Sequence, residues 1–205
     1  MTIKAILFDM DGVLIDARDW HYDALNKALS HFGYLISRDY HLSTFDGLPT
    51  KDKLQILSKS KNLPFGLHSH INKLKQKYTI QLSHEKCKPT FNHRFALSNL
   101  SKKYKIAVCS NSMRNSIVTM MELSGLNEYI DLIISNEDVN RSKPDPEMYI
   151  TAMKKFNVEP NETVILEDNE HGIEAAIASG GNLFKVATPD DVQLDAIEKF
   201  ISKIN

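Results

Sequence analysis

From residue 91 almost to its end, the chain alternates helix-forming stretches with short apolar runs that are bounded by polar or glycine residues. Strands that alternate with helices in this way form a parallel sheet with right-handed crossovers. The sequence therefore predicts an α/β fold. The predicted strands are residues 105–110, 131–135, 163–168 and 182–187, and the predicted helices are residues 91–102, 114–124, 146–156, 172–179 and 190–203.

A helical block separates the first predicted strand from the rest of this pattern. Residues 3–12 begin with a short apolar run that Gly12 ends, and helical spacing follows at 19–33, 48–60 and 67–82. These helices follow one another without strands between them, so they do not belong to the strand–helix pattern and are interpreted as an inserted domain. We expect a sheet domain of residues 1–16 and 89–205, with an inserted helical domain of residues 17–88.

Composition excludes several classes of protein. The 205 residues suffice for one core with a smaller attached domain, and a net charge of −1 argues against nucleic acid as the main partner. No apolar run approaches the ~18 residues of a membrane span, and the apolar start is too short and acidic for a signal peptide. Cys87 and Cys109 make neither a disulfide framework nor a zinc site. We expect a cytoplasmic monomer or weak homodimer.

The predicted insertion and the remainder of the chain carry opposite charge. Residues 17–90 contain 12 Lys/Arg and 6 Asp/Glu, whereas the remainder contains 13 Lys/Arg and 20 Asp/Glu. Solvated helix faces explain this pattern as well as a second interpretation, in which a basic and an acidic module meet over an anionic substrate. Lys73, Lys75 and Lys77 are interpreted here as a solvated helix face.

Polar side chains cluster where the predicted strands end. Ligands of open parallel sheets bind at the carboxyl ends of the strands, so these side chains are expected to form one site. They are Asp9, Asp11, Ser110, Asn111, Lys143, Glu167 and Asp168.

Asp9 and Asp11 lie two residues apart on an extended segment, which places both side chains on one face. Two carboxylates this close raise each other's pKa unless a cation intervenes. They can then divide the work between an ionised nucleophile and a general acid. A turn carrying two solvated acids is the alternative interpretation.

The other strand ends offer ligands for a metal and for phosphate. Clustered carboxylate oxygens at Glu167 and Asp168 suit Mg²⁺, although the same position also suits a helix N-cap. Ser110 and Asn111 supply a hydroxyl and an amide beside a helix start, which suits phosphate oxygens but is also an ordinary cap. Lys143 adds a compact cation that can offset phosphate charge.

Taken in order, these segments resemble the haloacid dehalogenase (HAD) superfamily of phosphotransferases. Its first motif, DxDGxx(x)D, matches DMDGVLID at residues 9–16. Its Ser/Thr, its lysine and its acidic pair match Ser110, Lys143 and the pair at residues 167–168. A helical insertion between the first two motifs resembles the C1 cap of the subgroup that contains β-phosphoglucomutase and phosphoglycolate and sugar-phosphate phosphatases. The resemblance spans nearly the whole chain and implies a Rossmann-like core with a helical cap.

The resemblance also implies the chemistry of the acidic residues. Asp9 would attack phosphorus and form an aspartyl-phosphate, while Asp11 would protonate the leaving alcohol and later activate water. Mg²⁺ would be held by the side chains of Asp9 and Asp168 and the backbone carbonyl of Asp11, with Glu167 nearby.

For the substrate, the resemblance implies two groups of contacts. Ser110 and Lys143 would hold the phosphate oxygens with help from Asn111. The cap residues that correspond to substrate contacts of the family are His21, Gly47 and Lys51.

The resemblance favours a phosphatase for a small phosphorylated metabolite such as a sugar or polyol phosphate. A phosphomutase is the alternative, but its cap loop carries an arginine where this chain has Thr50, and Ala17 stands where a hydroxyl residue is common. Dehalogenation and phosphonate hydrolysis are disfavoured, because those enzymes lack the second aspartate that Asp11 provides. A phosphorylatable receiver-like switch is a further alternative, although such domains lack a long helical insertion.

Overall fold

The structure, a computed structural model, describes residues 2–204. Its centre is one parallel five-stranded sheet, and the predicted α/β fold is confirmed. The strands are β1 (Ala5–Phe8), β2 (Lys105–Cys109), β3 (Leu132–Ile134), β4 (Thr163–Glu167) and β5 (Asn182–Lys185). They lie in the order β3-β2-β1-β4-β5, so β1 is central and pairs with both β2 and β4.

Five helices separate β1 from β2: α1 (Arg18–Ser30), α2 (Arg38–Thr44), α3 (Thr50–Lys61), α4 (His68–Lys86) and α5 (Phe91–Leu100). The later helices are α6 (Arg114–Leu123), α7 (Glu147–Phe156), α8 (Glu170–Ser179) and α9 (Leu194–Ile204). Short 3-10 helices occur at Phe65–Leu67, Asn127–Tyr129, Pro160–Glu162 and Pro189–Asp191.

Helix α2 was not predicted from the sequence, and its composition explains why. It has seven residues and buries only His41, so it has no periodic apolar stripe. It begins at a local cap, because the Ser37 side chain accepts a hydrogen bond from Tyr40 N.

Alternate residues of the strands supply the two faces of the sheet. Ile6, Phe8 and Val108 pack with α5, α6 and α9, whereas Leu7 and Ala107 pack with α7 and α8. Both faces of the sheet are therefore covered by apolar side chains, as a parallel sheet requires.

Helices α1–α4, called the cap below, have a hydrophobic core of their own. Its buried side chains include Leu25 of α1, Leu54 of α3 and Ile71 of α4, together with Phe45, which directly follows α2. Helix α4 packs against α1 within the cap and against α6 of the sheet domain. Within residues 2–204, no helix combines the length and apolar character needed to cross a membrane.

Candidate active site

The carboxyl ends of β1, β2 and β4 open into a cavity of about 600 Å³ that the cap also borders. Asp9 and Ser110 directly follow β1 and β2, and their backbone N–H groups still donate to neighbouring strands. Glu167, in contrast, is fully buried at the end of β4 and does not line the cavity. The predicted site residues that line it are Asp9, Asp11, His21, Gly47, Lys51, Ser110, Asn111, Lys143 and Asp168.

Lys143 connects the carboxylates at the base of this cavity. Its Nζ donates to Asp9 Oδ1 and to Glu167 Oε1, both at 2.6 Å, and to the carbonyl of Cys109 at 2.8 Å. Tyr149 donates a further hydrogen bond to Glu167 Oε1. Burial by itself disfavours the charged lysine, but the carboxylates of Asp9 and Glu167 outweigh it and raise the pKa of Lys143. Lys143 is therefore a cation at neutral pH.

Asp9 and Asp11 have opposite electrostatic surroundings. Burial, and after it the charge of Glu167, raises the pKa of Asp9 well above its ordinary value. Burial acts on Asp11 in the same direction, but His21 opposes it and the pKa of Asp11 is lowered. The environment thus pushes the pKa values of the two carboxylates apart, which is the usual sign of distinct acid–base roles.

Among residues 2–204, the carboxylate oxygens of Asp9, Glu167 and Asp168 form a group within 4.8 Å of one another. Burial and the charge of Glu167 raise the pKa of Asp168, as expected for crowded carboxylates with too little positive charge nearby. Three oxygen donors with excess negative charge fit Mg²⁺. Asp9 and Asp168 line the cavity and Glu167 does not, so the carboxylates of Asp9 and Asp168 are the side-chain ligands that face it.

The residue after the two aspartates, Gly12, has to be a glycine for steric reasons. Its φ is +92°, and a Cβ at this position would lie 2.0 Å from Asp168 Oδ2. Only glycine therefore allows the loop after β1 to approach Asp168 this closely.

Asn111 connects the sheet domain to the loop between α2 and α3, called the cap loop below. Its Nδ2 donates to the carbonyl of Gly47 at 2.9 Å and to that of Lys143 at 3.1 Å, and its Oδ1 accepts from Lys143 N. Gly47 has a φ of +73°, and a Cβ there would lie 2.7 Å from Asn169 Oδ1. These contacts position the backbone of Lys143 and bring the cap loop to the cavity.

Arg18, at the start of α1, is a site residue that the sequence analysis missed. Its Nη2 donates to Asp168 Oδ2 at 2.8 Å, and its Nε lies 3.3 Å from Asp46 Oδ2 in the cap. Arg18 thereby joins the acidic group to the cap. Its position two residues after the first motif was the available signal.

His21 and Lys75 form a chain of contacts that ends at Asp11. Lys75 Nζ lies 3.2 Å from His21 Nδ1, and His21 Nε2 lies 2.9 Å from Asp11 Oδ1. The second contact is an ion-pair distance without hydrogen-bond alignment. Ser112 Oγ donates to the other carboxylate oxygen of Asp11 at 3.1 Å. The predicted cap residue His21 is therefore next to the second aspartate of the motif.

The interpretation of Lys75 as a solvated surface residue is wrong. Its neighbours Lys73 and Lys77 are exposed, but Lys75 is 6% exposed and lines the cavity. Lys75 lies four residues from both Ile71 and Thr79, which are buried on the same face of α4. Lysines spaced by two residues do not share a helix face, so they should not have been interpreted together.

Lys53 and His41 are two further cavity residues that the sequence did not reveal. Lys53 of α3 is 6% exposed and His41 of α2 is 1% exposed, and both line the cavity. Lys53 lies four residues before the buried Leu57, and this spacing was the available signal.

Comparison with known proteins agrees with this geometry. The family model for haloacid dehalogenase-like hydrolases matches residues 6–186. A phosphorylated carbohydrates phosphatase from Thermotoga maritima is 28% identical over 179 residues, which cover 87% of this chain and 82% of the relative. A pyrophosphatase PpaX from Oceanobacillus iheyensis is 27% identical, with 84% of this chain and 78% of the relative covered.

Solved structures show the same architecture. β-Phosphoglucomutase from Clostridium difficile matches with a TM-score of 0.84 and 22% identity over 98% of each chain. CbbY from Rhodobacter sphaeroides in complex with phosphate matches with a TM-score of 0.81 and 22% identity over 90% of this chain and 86% of that one. The match to the family model, which spans most of the sequence, confirms the predicted resemblance: the chain belongs to the haloacid dehalogenase-like hydrolase family.

Proposed function

We propose that this chain is a Mg²⁺-dependent phosphatase that hydrolyses a small phosphorylated metabolite, a sugar or polyol phosphate, through an aspartyl-phosphate on Asp9. The observation that carries the proposal is the convergence of Asp9, Ser110, Lys143 and Asp168 on one cavity. The cavity volume of about 600 Å³ fits a small metabolite. The name of the Thermotoga maritima relative supports phosphorylated carbohydrates as the substrate class.

The proposed metal ligands are the side chains of Asp9 and Asp168 and the backbone carbonyl of Asp11, with Glu167 behind them. When bound, Mg²⁺ would offset the charge of the phosphate oxygens and favour the ionised form of Asp9.

In the proposed reaction, an Asp9 carboxylate oxygen attacks phosphorus and the bond from phosphorus to the leaving oxygen breaks. Ser110 and Lys143 hold the phosphate oxygens, and Lys143 is suited to this because it stays charged. A water molecule then attacks the aspartyl-phosphate and returns Asp9 to its free form.

Asp11 must hold a proton in the first step and accept one in the second. Its lowered pKa leaves it ionised in the free site, which suits the activation of water. The negative charge of an incoming phosphate raises the pKa of a nearby carboxyl, so substrate binding favours the protonated acid that the first step needs. His21 Nε2, 2.9 Å from Asp11 Oδ1, is the cap group next to the carboxylate that gains and loses this proton.

The decisive experiment measures phosphate release with Mg²⁺ across a panel of phosphorylated sugars, polyols and small acids. Activity should disappear in Asp9→Asn and with EDTA. It should persist in Asp195→Asn, which makes the same change at an exposed position of α9.

Two other outcomes would replace the proposal. Conversion of a sugar 1-phosphate to its 6-phosphate without phosphate release would identify a phosphomutase. A stable aspartyl-phosphate formed from acetyl phosphate, with no turnover of any substrate, would identify a phosphorylation-dependent switch. The cytoplasmic location, the monomeric or weakly dimeric state and the absence of nucleic-acid or membrane partners stay predictions from the sequence.

A further inference from the structure

The cap side of the cavity contains two buried lysines that lack a counter-charge. Lys53 and Lys75 are each 6% exposed, and both line the cavity. Within residues 2–204, neither Nζ has a carboxylate oxygen within 4.0 Å. Lys75 Nζ contacts His21 Nδ1, whereas Lys53 Nζ makes no hydrogen bond or ion pair with any of the described residues.

His41 adds an unpartnered polar group to the same part of the cavity. It is 1% exposed, and neither of its ring nitrogens has a hydrogen-bond partner. Burial lowers the pKa of His41 to about 3, so at neutral pH it is an uncharged imidazole with one N–H to donate. Buried polar groups are nearly always paired in proteins, so the unpartnered imidazole of His41, next to two lysines that form no ion pair, indicates a binding partner at this part of the cavity.

Two nearby acids, Asp46 and Asp11, offset the charge of these lysines only in part, because each already contacts other side chains. Asp46 pairs with Arg18, and Asp11 contacts His21 and Ser112. Burial accordingly lowers the pKa of Lys53 to about 8 and that of Lys75 to about 7. An anionic ligand would supply the counter-charge and favour the charged form of both lysines.

We propose that the leaving group of the substrate carries its own anionic group, a carboxylate or a second phosphate, which Lys53, Lys75 and His41 bind. This inference rests on the proposed function. Among small phosphorylated metabolites, it favours those with a second anionic group, such as sugar bisphosphates and phosphorylated sugar acids, over sugars and polyols that carry a single phosphate. The transferred phosphoryl group lies at Asp9 and the second anion at the cap. A neutral polyol would leave both lysines without a counter-charge, so its affinity should be lower.

The test uses Asp9→Asn protein, because binding can then be measured without turnover. Titration calorimetry compares two matched pairs of ligands: 3-phosphoglycerate with glycerol 3-phosphate, and fructose 1,6-bisphosphate with fructose 6-phosphate. Both members of a pair carry one phosphate, but only the first carries a second anionic group, and it is called the doubly anionic ligand below. The doubly anionic ligand of at least one pair should bind at least tenfold more tightly than its partner, and the pair concerned distinguishes a carboxylate from a phosphate.

Variants in the same background identify the residues responsible. Adding Lys53→Met should reduce the preference for the doubly anionic ligand to within twofold, and it should leave the affinity for the ligand with a single phosphate unchanged. Adding Lys59→Met, which removes a lysine from an exposed position of α3, should preserve the preference. A Lys53→Met variant that weakens both ligands equally would indicate a structural role and overturn the inference.

Failure of the inference and failure of the proposed function give different results. If Asp9→Asn protein binds no member of either pair, or binds both members within twofold of each other, the anion site is wrong even if the wild type releases phosphate. If the doubly anionic ligands are preferred but the wild type releases no phosphate from any of them, the anion site stands and the hydrolysis is wrong.

Discussion

The sheet domain and the cap each bury lysines at the same cavity, but in opposite electrostatic settings. Lys143 donates to the carboxylates of Asp9 and Glu167, and these carboxylates raise its pKa. Lys53 has no such partner, and burial lowers its pKa to about 8. The comparison indicates that the buried lysine of the sheet domain has its counter-charges within the protein, whereas the buried lysines of the cap form no ion pair with the described residues.

Replacing Lys143 should change the stability and the activity of the protein more than any other substitution considered below. Lys143→Met leaves the buried carboxylates of Asp9 and Glu167 without their shared cation, and breaking a buried pair from one side costs about 3–5 kcal/mol. We expect a loss of this size in the free energy of unfolding, measured in urea at pH 7 with EDTA. Phosphate release should fall by about 10²–10³-fold or more, because a positioned phosphate donor is lost.

Lys102→Met is the matched control for this variant, because Lys102 is an exposed lysine of the sheet domain. It should match the wild type in both measurements. If Lys143→Met were as stable as the wild type, the sheet domain would not depend on this lysine for charge balance, and the contrast with the cap would fail.

A smaller effect is expected where a glycine makes room for the acidic group. A Cβ at Gly172 would lie about 2 Å from the carboxylate of Glu167, whereas a Cβ at Gly66 in the cap would meet no atom within 4 Å. Gly172→Ala should therefore lower the free energy of unfolding by about 2–3 kcal/mol through overpacking. It should also weaken the stabilisation by Mg²⁺, because Glu167 has to move.

Gly66→Ala is the matched control in the cap and should stay within about 0.5 kcal/mol of the wild type. Both variants can be measured by urea unfolding with and without Mg²⁺. A Gly172→Ala protein that is as stable as the wild type and responds equally to Mg²⁺ would show that Glu167 is not held in one position.

The same comparison explains which residues could be predicted from the sequence. Asp9, Ser110, Lys143 and Asp168 come from distant segments, but the topology of a parallel sheet brings strand ends together by a general rule. Apolar runs marked those strands clearly, so both the sheet and this part of the site were predictable.

The cap has no equivalent rule. Which face of a helix is buried depends on its packing partners, and polar residues on that face look like surface residues in the sequence. Lys53 and Lys75 each lie on the buried face of their helix. His41 lies on a helix of seven residues, which is too short to show a pattern of buried positions. Arg18 was missed for a related reason, because its partners Asp46 and Asp168 lie on different domains.

Replacing Lys53 should stabilise the cap, in contrast to the loss expected for Lys143. Lys53→Met removes a buried and unpaired ammonium group, and we expect a gain of about 1–2 kcal/mol in the free energy of unfolding at pH 7. Folding lowers the pKa of this lysine from 10.5 to about 8. The free-energy cost of burying its charge is therefore complete below pH 8 and disappears towards pH 10.5. The gain should follow the same course.

Unfolding by urea at pH 7 and at pH 10.5 measures this gain, and Lys59→Met corrects for general effects of pH. A gain that persists at pH 10.5 would come from better packing rather than from the removed charge. A loss of stability at pH 7 would mean that the cap already satisfies Lys53 without a ligand.

The smallest effects should come from exposed ion pairs, and here the two domains should behave alike. Arg38 Nε donates to Asp19 Oδ1 at 2.8 Å in the cap, and Lys103 Nζ donates to Glu198 Oε1 at 2.7 Å in the sheet domain. All four side chains are at least 38% exposed, so solvent screens the attraction and holding the side chains in place costs entropy. Arg38→Gln and Lys103→Gln should therefore unfold at the wild-type midpoint, at low and at high salt.

If Arg38→Gln destabilised the protein while Lys103→Gln did not, the contrast between cap and sheet domain would extend to their surfaces. Equal results would confine that contrast to the buried lysines at the cavity.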